Sequence, residues 1–445
     1  MVPGRRGTFT GGIDLPDEKR ETQDRAIEAF ASPVSARLRV PLSLDGRPGA
    51  SVVVSPGQHV RAGERIARAG AGGADLFAPV AGVVGPVCRV PVARDGQWEL
   101  DDALELHGLG PWTLPEFEPV FDWQTRDDDA LRERLADGHL VLHRRRSEPL
   151  TTLVDRARRK ACRTLIVNGM EHQPYVTADH RLLIEHGQRV LTGATILARA
   201  ISVHQTHLAA DHRRVRSYRD LPVAADRLDV HLVALTHKYP VGADTILVKV
   251  LTRRETPAGG DVTDVGAVVV DAATCLAVFG WVVCGRRAAG RVVTVAGERA
   301  GRRGNLYVPW GLSCAELLPA DGPVLHGGPM AALDCPADAV VSPTTDALLA
   351  LDTGVSQPPG VCIRCGWCTD ACPARLNVAA LSDAFELGQL DLAQSLGVEA
   401  SMDCGVCTYV CPAKLPLSRR VRQLREAIAA RRVATSSPRS AEDPP

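Results

Sequence analysis

The chain has 445 residues, room for about three domains at one per ~150 residues. Hydrophobic residues make up 45% and charged residues 23%, which excludes wholesale disorder. Lys plus Arg is 52 and Asp plus Glu is 52, and aromatics are only 4%, so bulk nucleic-acid binding is excluded: neither a cation surplus nor stacking platforms are available.

Met1-Val-Pro-Gly-Arg-Arg6 leads into glycine and charge rather than an apolar run, so no secretory signal is expected and a reducing, cytoplasmic setting is. Residues 1–95 form a first unit. Val54–Ala67 and Leu76–Val87 carry short Val/Ile runs between Gly and Pro turns, two hairpin halves of a small barrel-sandwich. Carriers of lipoyl or biotinyl groups present a lysine at the hairpin tip. The tip here, Ala69–Asp75, has none, so the unit is read as a packing or docking element. Residues 96–160 are expected to be a charged, irregular connection, its basic knots His143–Ser147 and Arg156–Lys160 lying on solvated faces.

From 161 to 250 the pattern turns α/β. Arg163–Gly169 reads as a strand, and Leu183, Val190, Ala194, Leu197 and Ile201 then fall on one helical face. Val230–His237 is a second strand, and a helix begins at Thr245–Leu251. Residues 251–330 are expected to hold a β-grasp-like module, with strands at Gly266–Val270, Arg291–Val295 and Leu306–Val308. Val265–Gly285 is about long enough to span a bilayer, but Asp271 and three glycines interrupt it. It is read as a buried strand followed by the helix Ala272–Val283. Alternation of this kind implies a sheet with helices packed on it.

Residues 350–432 hold seven of the 13 cysteines. Cys362-x-x-Cys365-x-x-Cys368-x-x-x-Cys372-Pro373 has the spacing of bacterial ferredoxins, where three thiolates hold one cubane and the cysteine before proline reaches the other. Iron in such clusters takes soft, charged sulfur, whereas zinc sites use paired Cys-x-x-Cys units. The second motif, Cys404-x-x-Cys407-x-x-x-Cys411-Pro412, lacks its first thiolate, and Ser401 stands there. With ligands exchanged between motifs, cluster one has Cys362, Cys365, Cys368 and Cys411. Cluster two has Cys372, Cys404 and Cys407, with Ser401 or Asp403 near the open corner. The first is expected to be [4Fe–4S], the second [4Fe–4S] with one oxygen ligand or [3Fe–4S]. Asn377 can cap a helix bearing Val378, Leu381 and Phe385, and Ser418 one bearing Val421, Leu424 and Ile428, which points to a helical ferredoxin fold. Cys88, Cys162, Cys275, Cys284, Cys314 and Cys335 are read as buried small hydrophobes. Residues 433–445 are expected to be a disordered tail.

Taken in order, these features resemble the RnfC family, the peripheral subunit of Rnf-type NADH:ferredoxin oxidoreductase complexes. Thr8-Phe-Thr-Gly-Gly-Ile13 and Leu15-Pro16 are similar to the family's opening, followed by the barrel-sandwich. Leu165–Leu183, Lys238-Tyr-Pro-x-Gly242, Gly327-Gly-Pro-Met330 and the double cysteine motif then follow in the family's order. The resemblance implies a multidomain α+β fold: an N-terminal barrel-sandwich hybrid, an α/β flavin-type domain like the 51 kDa subunit of complex I with an SLBB β-grasp module, and a C-terminal α-helical ferredoxin domain. It implies FMN and NADH as cofactors beside the clusters, and Glu171, Lys238, Asp244, Asp271 and Thr274 as pocket residues. As partners it implies other subunits of a membrane-bound electron-transport complex and ferredoxin or another redox protein, on the cytoplasmic face of the membrane.

Where the family has a glycine-rich FMN loop, Gly138–Leu150 carries Arg144, Arg145 and Arg146. Backbone N–H groups approach a phosphate closely only where Cβ atoms are missing, so this loop is degenerate and argues against NADH oxidation by the chain itself. The reading is therefore an electron-transfer subunit of an oxidoreductase complex relaying electrons through two clusters. The alternatives are a non-catalytic wire or scaffold, or an electron-donating reductase of the cobalamin-reductase type associated with a microcompartment.

Overall fold

A computed structural model describes residues 8–31, 37–47, 49–108, 112–143, 147–319, 321–352 and 358–436. The arginine run Arg144–Arg146 and residues 437–445 of the expected tail lie outside the described residues.

The amino-terminal unit is built from two small antiparallel sheets. Gly82–Arg94 and Gln97–Gly108 form a long hairpin, flanked by Arg37–Pro41 and His59–Val60; Ser51–Val52, Arg65–Arg68 and Leu76–Phe77 make the second sheet. The second hairpin strand falls where a charged, irregular connection is expected. Its charges Glu99, Asp101 and Asp102 mask the alternation, but Asp95-Gly96 is a two-residue turn with φ of 46° and 81°, the left-handed pair that a tight hairpin requires. The hairpin therefore runs to Gly108 rather than ending at 95.

The central unit is a parallel four-stranded sheet in the order Val230–Leu235, Gln205–Asp211, Thr164–Gly169, Ala267–Asp271. Val, Leu and Ala dominate these strands because helices cover both faces. The helix Ala178–Ile201 buries Leu183, Val190, Ala194, Leu197 and Ile201 against the sheet, the face read from the sequence. The stretch Val265–Gly285 is a strand, Ala267–Asp271, followed by a helix, Ala272–Val282, both inside this unit. The α/β unit thus continues past the expected boundary at 250, since its fourth strand pairs in parallel with Thr164–Gly169.

A mixed six-stranded sheet follows, ordered Ile27–Ala29, Gly304–Pro309, Gly290–Ala296, Ala347–Leu349, Leu325–His326, Leu333–Asp334. It reaches Leu349, beyond the expected end at 330, and recruits one strand from near the amino terminus. The cysteine region is helical around a core of Leu381, Ala384, Ala393, Val421, Leu424 and Ile428. Asn377 caps Val378–Glu386 by accepting from Ala380 N at 3.1 Å. The last helix runs from Leu417 to Ser436, so it begins before Ser418 and continues into the expected tail; the Ser418 hydroxyl instead meets Thr408 Oγ1 at 2.8 Å. Among the scattered cysteines, Cys162, Cys275 and Cys314 are buried, while Cys88, Cys284 and Cys335 are only half-buried. No helix among the described residues is long and apolar enough to cross a membrane.

Candidate functional site

In the parallel sheet the first strand, Thr164–Gly169, has its successors on opposite sides, so the chain order reverses beside it. Open α/β sheets bind ligands outside the carboxyl ends of the strands at such a point. Here it opens into a cavity of about 450 Å3. Four bodies wall it: Arg94 and Gly96 of the amino-terminal hairpin, His172, Asp179, Asp244 and Asp271 of the α/β unit, His326 to Gly328 and Asp346 of the mixed sheet, and Met402 to Cys404 of the cysteine region.

Each wall has a local cause. Asp271 ends its strand and caps the next helix, accepting from Thr274 N at 2.6 Å and from Thr274 Oγ1 at 3.1 Å. Thr274 Oγ1 in turn accepts from His143 N at 3.0 Å, which fixes the segment entering the Arg144–Arg146 run. Arg291 is buried and donates to the carbonyl oxygens of His143, at 3.2 Å, and Pro343. His143 is buried with neither ring nitrogen partnered among the described residues, and burial, helped by Arg291, pulls its pKa down to about 3. Asp179 has one carboxylate oxygen without a hydrogen-bond partner among the described residues. Burial and the nearby Asp271 and Glu171 raise its pKa well above the usual carboxylate range.

Of the five pocket residues expected from sequence, Asp244 and Asp271 line the cavity. Glu171 lies behind the wall, accepting from Asp179 N at 2.7 Å and His180 N at 3.1 Å, so it caps the long helix. Its carbonyl oxygen receives the buried Lys19 ammonium, whose pKa burial lowers to about 8. Lys238 donates to Phe9 O at 2.9 Å and sits over the Phe9 ring. Thr274 acts through Asp271 and His143. Sequence reasoning missed His143, Asp179, Arg291, His326 and Asp346 as lining residues. Asp179 lay inside the family-like stretch Leu165–Leu183, and His326 directly precedes Gly327-Gly328, so both had a signal; Arg291 and Asp346 had none.

The cysteine region is an internal repeat at an offset of 39 residues, Cys365 to Cys404. Cys368 and Cys407, Cys372 and Cys411, and Pro373 and Pro412 share that offset, and the backbone repeats with them. Arg364 and Asp403 have φ of 57° and 55°, Gly366 and Gly405 of 82° and 79°, Arg375 and Lys414 of 56° and 55°. Ser401 stands at the equivalent of Cys362. Several thiol neighbours cross between repeats, Cys368 on Cys407 among them. Cys372 bears electrostatically on Cys404 and Cys407, while Cys411 and Cys365 bear on Cys368. Burial pushes the Cys404 thiol up to about 11 and Cys407 up to about 12. A small cavity is lined by Cys372, Cys404, Cys407 and Ser401 together. Asp403 also lines it, but its carboxylate is held by Arg422 at 2.8 and 3.0 Å, whereas Ser401 Oγ makes only a 3.4 Å contact with Asp403 N.

The cysteine repeat is tied directly to the larger cavity. Tyr239 OH donates to Cys404 O at 2.6 Å and accepts from Gln173 Nε2 at 3.0 Å. Gly12 N donates to Ala371 O at 2.8 Å. At Gly11, φ is +72° and a Cβ would lie 2.6 Å from the Cys372 carbonyl oxygen, which explains the Gly-Gly of the opening motif.

Residues 7–100 match the RnfC barrel sandwich hybrid domain. The amino-terminal unit is therefore of the RnfC type. Residues 149–280 match the Nuo51 FMN-binding domain, starting just after the arginine run. Over 409 residues the chain is 28% identical to a subunit of the proton-translocating ferredoxin:NAD(+) oxidoreductase complex of Clostridium ljungdahlii, covering 89% of this chain and 87% of that one. It is 30% identical over 381 residues to a subunit of the ion-translocating oxidoreductase complex of Salmonella choleraesuis, covering 83% of this chain. It spans only about half, 53%, of the Salmonella protein's length. An NAD+-reducing [NiFe]-hydrogenase chain, air-oxidised, aligns at a TM-score of 0.49 and 20% identity, over 67% of this chain and 61% of that one. The two family matches place the barrel-sandwich and the 51K-type α/β unit in one RnfC-like polypeptide, with the cavity outside the latter's sheet.

Proposed function

We propose that this RnfC-type chain is the iron–sulfur electron-transfer subunit of an ion-translocating ferredoxin:NAD oxidoreductase-type complex. One observation carries the proposal: the cavity at the switch point of the α/β sheet shares a wall, Met402 to Cys404, with the cysteine repeat. A donor in that cavity would therefore lie against the first cysteine of the second motif. The complexes to which the relatives belong and the order of the modules support the same reading.

The residues present fit two clusters. Cys362, Cys365, Cys368 and Cys411 would hold one, and Cys372, Cys404 and Cys407 the other with Ser401 at the fourth corner. Buried thiols with raised pKa values gain from a cationic iron centre that takes them as thiolates. When bound, such clusters supply one-electron capacity. This chain's part is to hold them in a helical core and to exclude water from the Cys404 side. The helical ferredoxin-type fold of residues 350–432 belongs to the same proposal.

Flavin mononucleotide fits less completely. The His143 ring, which has no hydrogen-bond partner among the described residues, and the cavity's size suit a planar polar heterocycle. Among the described residues, however, the lining offers Asp244, Asp271 and Asp346 against two guanidinium groups, Arg94 and Arg291, while Asp179 has a raised pKa and Asp403 is paired with Arg422. That set repels a phosphate dianion, so no hydride step is assigned to this chain, and we place it as a relay within the complex. Anaerobically purified protein should contain iron and acid-labile sulfide for two clusters. Protein that lacks sulfide, or binds zinc instead, would end the proposal. Flavin absorbance that bleaches with NADH would restore the dehydrogenase reading for the chain itself.

A further inference from the structure

The two cysteine repeats share a backbone, but their outer faces differ. In the second repeat, Ala400 and Met402 are half-buried and Val406 is 1% exposed, packed with Leu15 and Tyr239. Met402 and Val406 are covered by the body that contains the large cavity, while Ala400 packs against the cysteine region's own core. In the first repeat the equivalent positions are Val361, Ile363 and Trp367, which are 87%, 67% and 58% exposed. Val361 and Trp367 are larger than their covered counterparts Ala400 and Val406, and Cys362 and Cys365 are exposed among them. Large apolar side chains in solvent beside metal-type thiols are costly on a free surface and mark an interaction site.

From this pseudo-symmetry we infer that Val361, Ile363 and Trp367 form the docking face for a second redox-active subunit of the same complex, seated on the first repeat as the cavity-bearing body is seated on the second. The inference rests on the iron–sulfur reading above. Charge identifies a resident subunit rather than a diffusing carrier. Arg364 within the patch is paired with Asp383 at 2.6 Å, so its charge is offset and the face presents mainly apolar contact. Mobile redox carriers are gathered by complementary charge, whereas permanent interfaces have apolar centres. Across this face one electron passes at a time. A cluster held by Cys362, Cys365, Cys368 and Cys411 would give up one electron, and the partner's iron–sulfur or flavin centre would take it up. No bond is made and no proton moves.

The test uses the full-length chain with its clusters intact, added back to membranes of its own host lacking this chain. The double variant Val361→Ser, Trp367→Ser should bind at least about 10-fold more weakly, a loss of ~1.4 kcal/mol. Electron delivery from the dithionite-reduced chain into the membranes should fall in step, while iron, sulfide and cluster EPR spectra match the unsubstituted chain. A photo-crosslinking benzoylphenylalanine at Ile363 should capture a cofactor-bearing subunit. Unchanged binding and delivery would overturn the docking face, as would a crosslink to lipid, to a cofactor-free protein or to a second copy. Binding that collapses between about 0.05 and 0.5 M salt would also overturn it, in favour of a charged carrier. Absence of iron and sulfide from the unsubstituted chain would instead defeat the underlying reading.

Discussion

Ser401 occupies the position that Cys362 holds in the first repeat, and its hydroxyl has weak hydrogen bonding to lose. Asp403, the other oxygen candidate, is already held by Arg422 in a two-point ion pair. A serine oxygen is a harder ligand for iron than thiolate and leaves a labile corner. Ser401→Cys should therefore convert the second cluster to an all-cysteine [4Fe–4S] spectrum and slow its loss in air. Ser401→Ala should favour the three-iron form. EPR spectra identical in all three proteins would contradict this assignment. The buried histidines make a second prediction at this scale. Burial holds His143 and His180 at about 3 and His326 at about 4, below the ~6.5 of an unfolded histidine. Between those values the unfolded chain binds protons that the folded chain refuses. Their contribution to stability is thus complete above about pH 6.5 and is lost as pH falls toward 4. Each ring can cost up to about 1.4 kcal/mol per pH unit. Melting temperature should fall steeply below pH 6.5, and His143→Gln should make that fall shallower. A flat profile from pH 7.5 to 5 would exclude it.

Among the elements, the parallel sheet was legible because a strand buried on both faces must be a short Val/Ile run, as in Leu165–Val167 and Val268–Val270. The strand Gln97–Gly108 was hidden by acidic residues facing solvent, although its Asp-Gly turn was visible. The cavity was legible only where a strand or helix end marked it, at Asp244 and Asp271. His143, Arg291 and Asp346 come from segments far apart in the chain, and only tertiary packing brings them together. Glu171 illustrates the converse: a motif residue that suggested ligand contact serves as a helix cap. The crossing of the helices Ala178–Ile201 and Ala272–Val282 yields a test. A Cβ on Gly193 would lie 1.9 Å from the Cys275 carbonyl oxygen, so the helices must part to admit it. Helix propensity alone favours Ala over Gly by about 1 kcal/mol. Overpacking of this kind costs about 1–3 kcal/mol, and a clash with rigid backbone falls at the upper end. Gly193→Ala should therefore lower unfolding free energy by roughly 2 kcal/mol in guanidinium titration, where an exposed Gly→Ala would raise it.

The whole molecule is arranged so that distant parts of the chain meet at one cavity, and Arg422 is a clasp among them. From the last helix it grips Asp403 of the second cysteine repeat at 2.8 and 3.0 Å, and donates to Gly96 O of the amino-terminal hairpin at 2.6 Å. The ion pair is mostly buried, with side-chain exposures of 20% and 12%, so solvent does little to replace it. Removing the guanidinium leaves Asp403 facing the cavity among other carboxylates and releases the hairpin from the cysteine region. Arg422→Ala should cost about 2 kcal/mol, the scale of a lost charge-assisted hydrogen-bond set. Its functional mark should be selective. The proposed cluster bounded by Cys372, Cys404 and Cys407 should bleach faster in air, while the proposed one bounded by Cys362, Cys365, Cys368 and Cys411 should keep its rate. Arg422→Lys should recover only part of the protection, because one ammonium cannot span Asp403 and Gly96 with the same fork. Equal bleaching of both clusters would show that the hairpin and the cysteine region are held together without this residue.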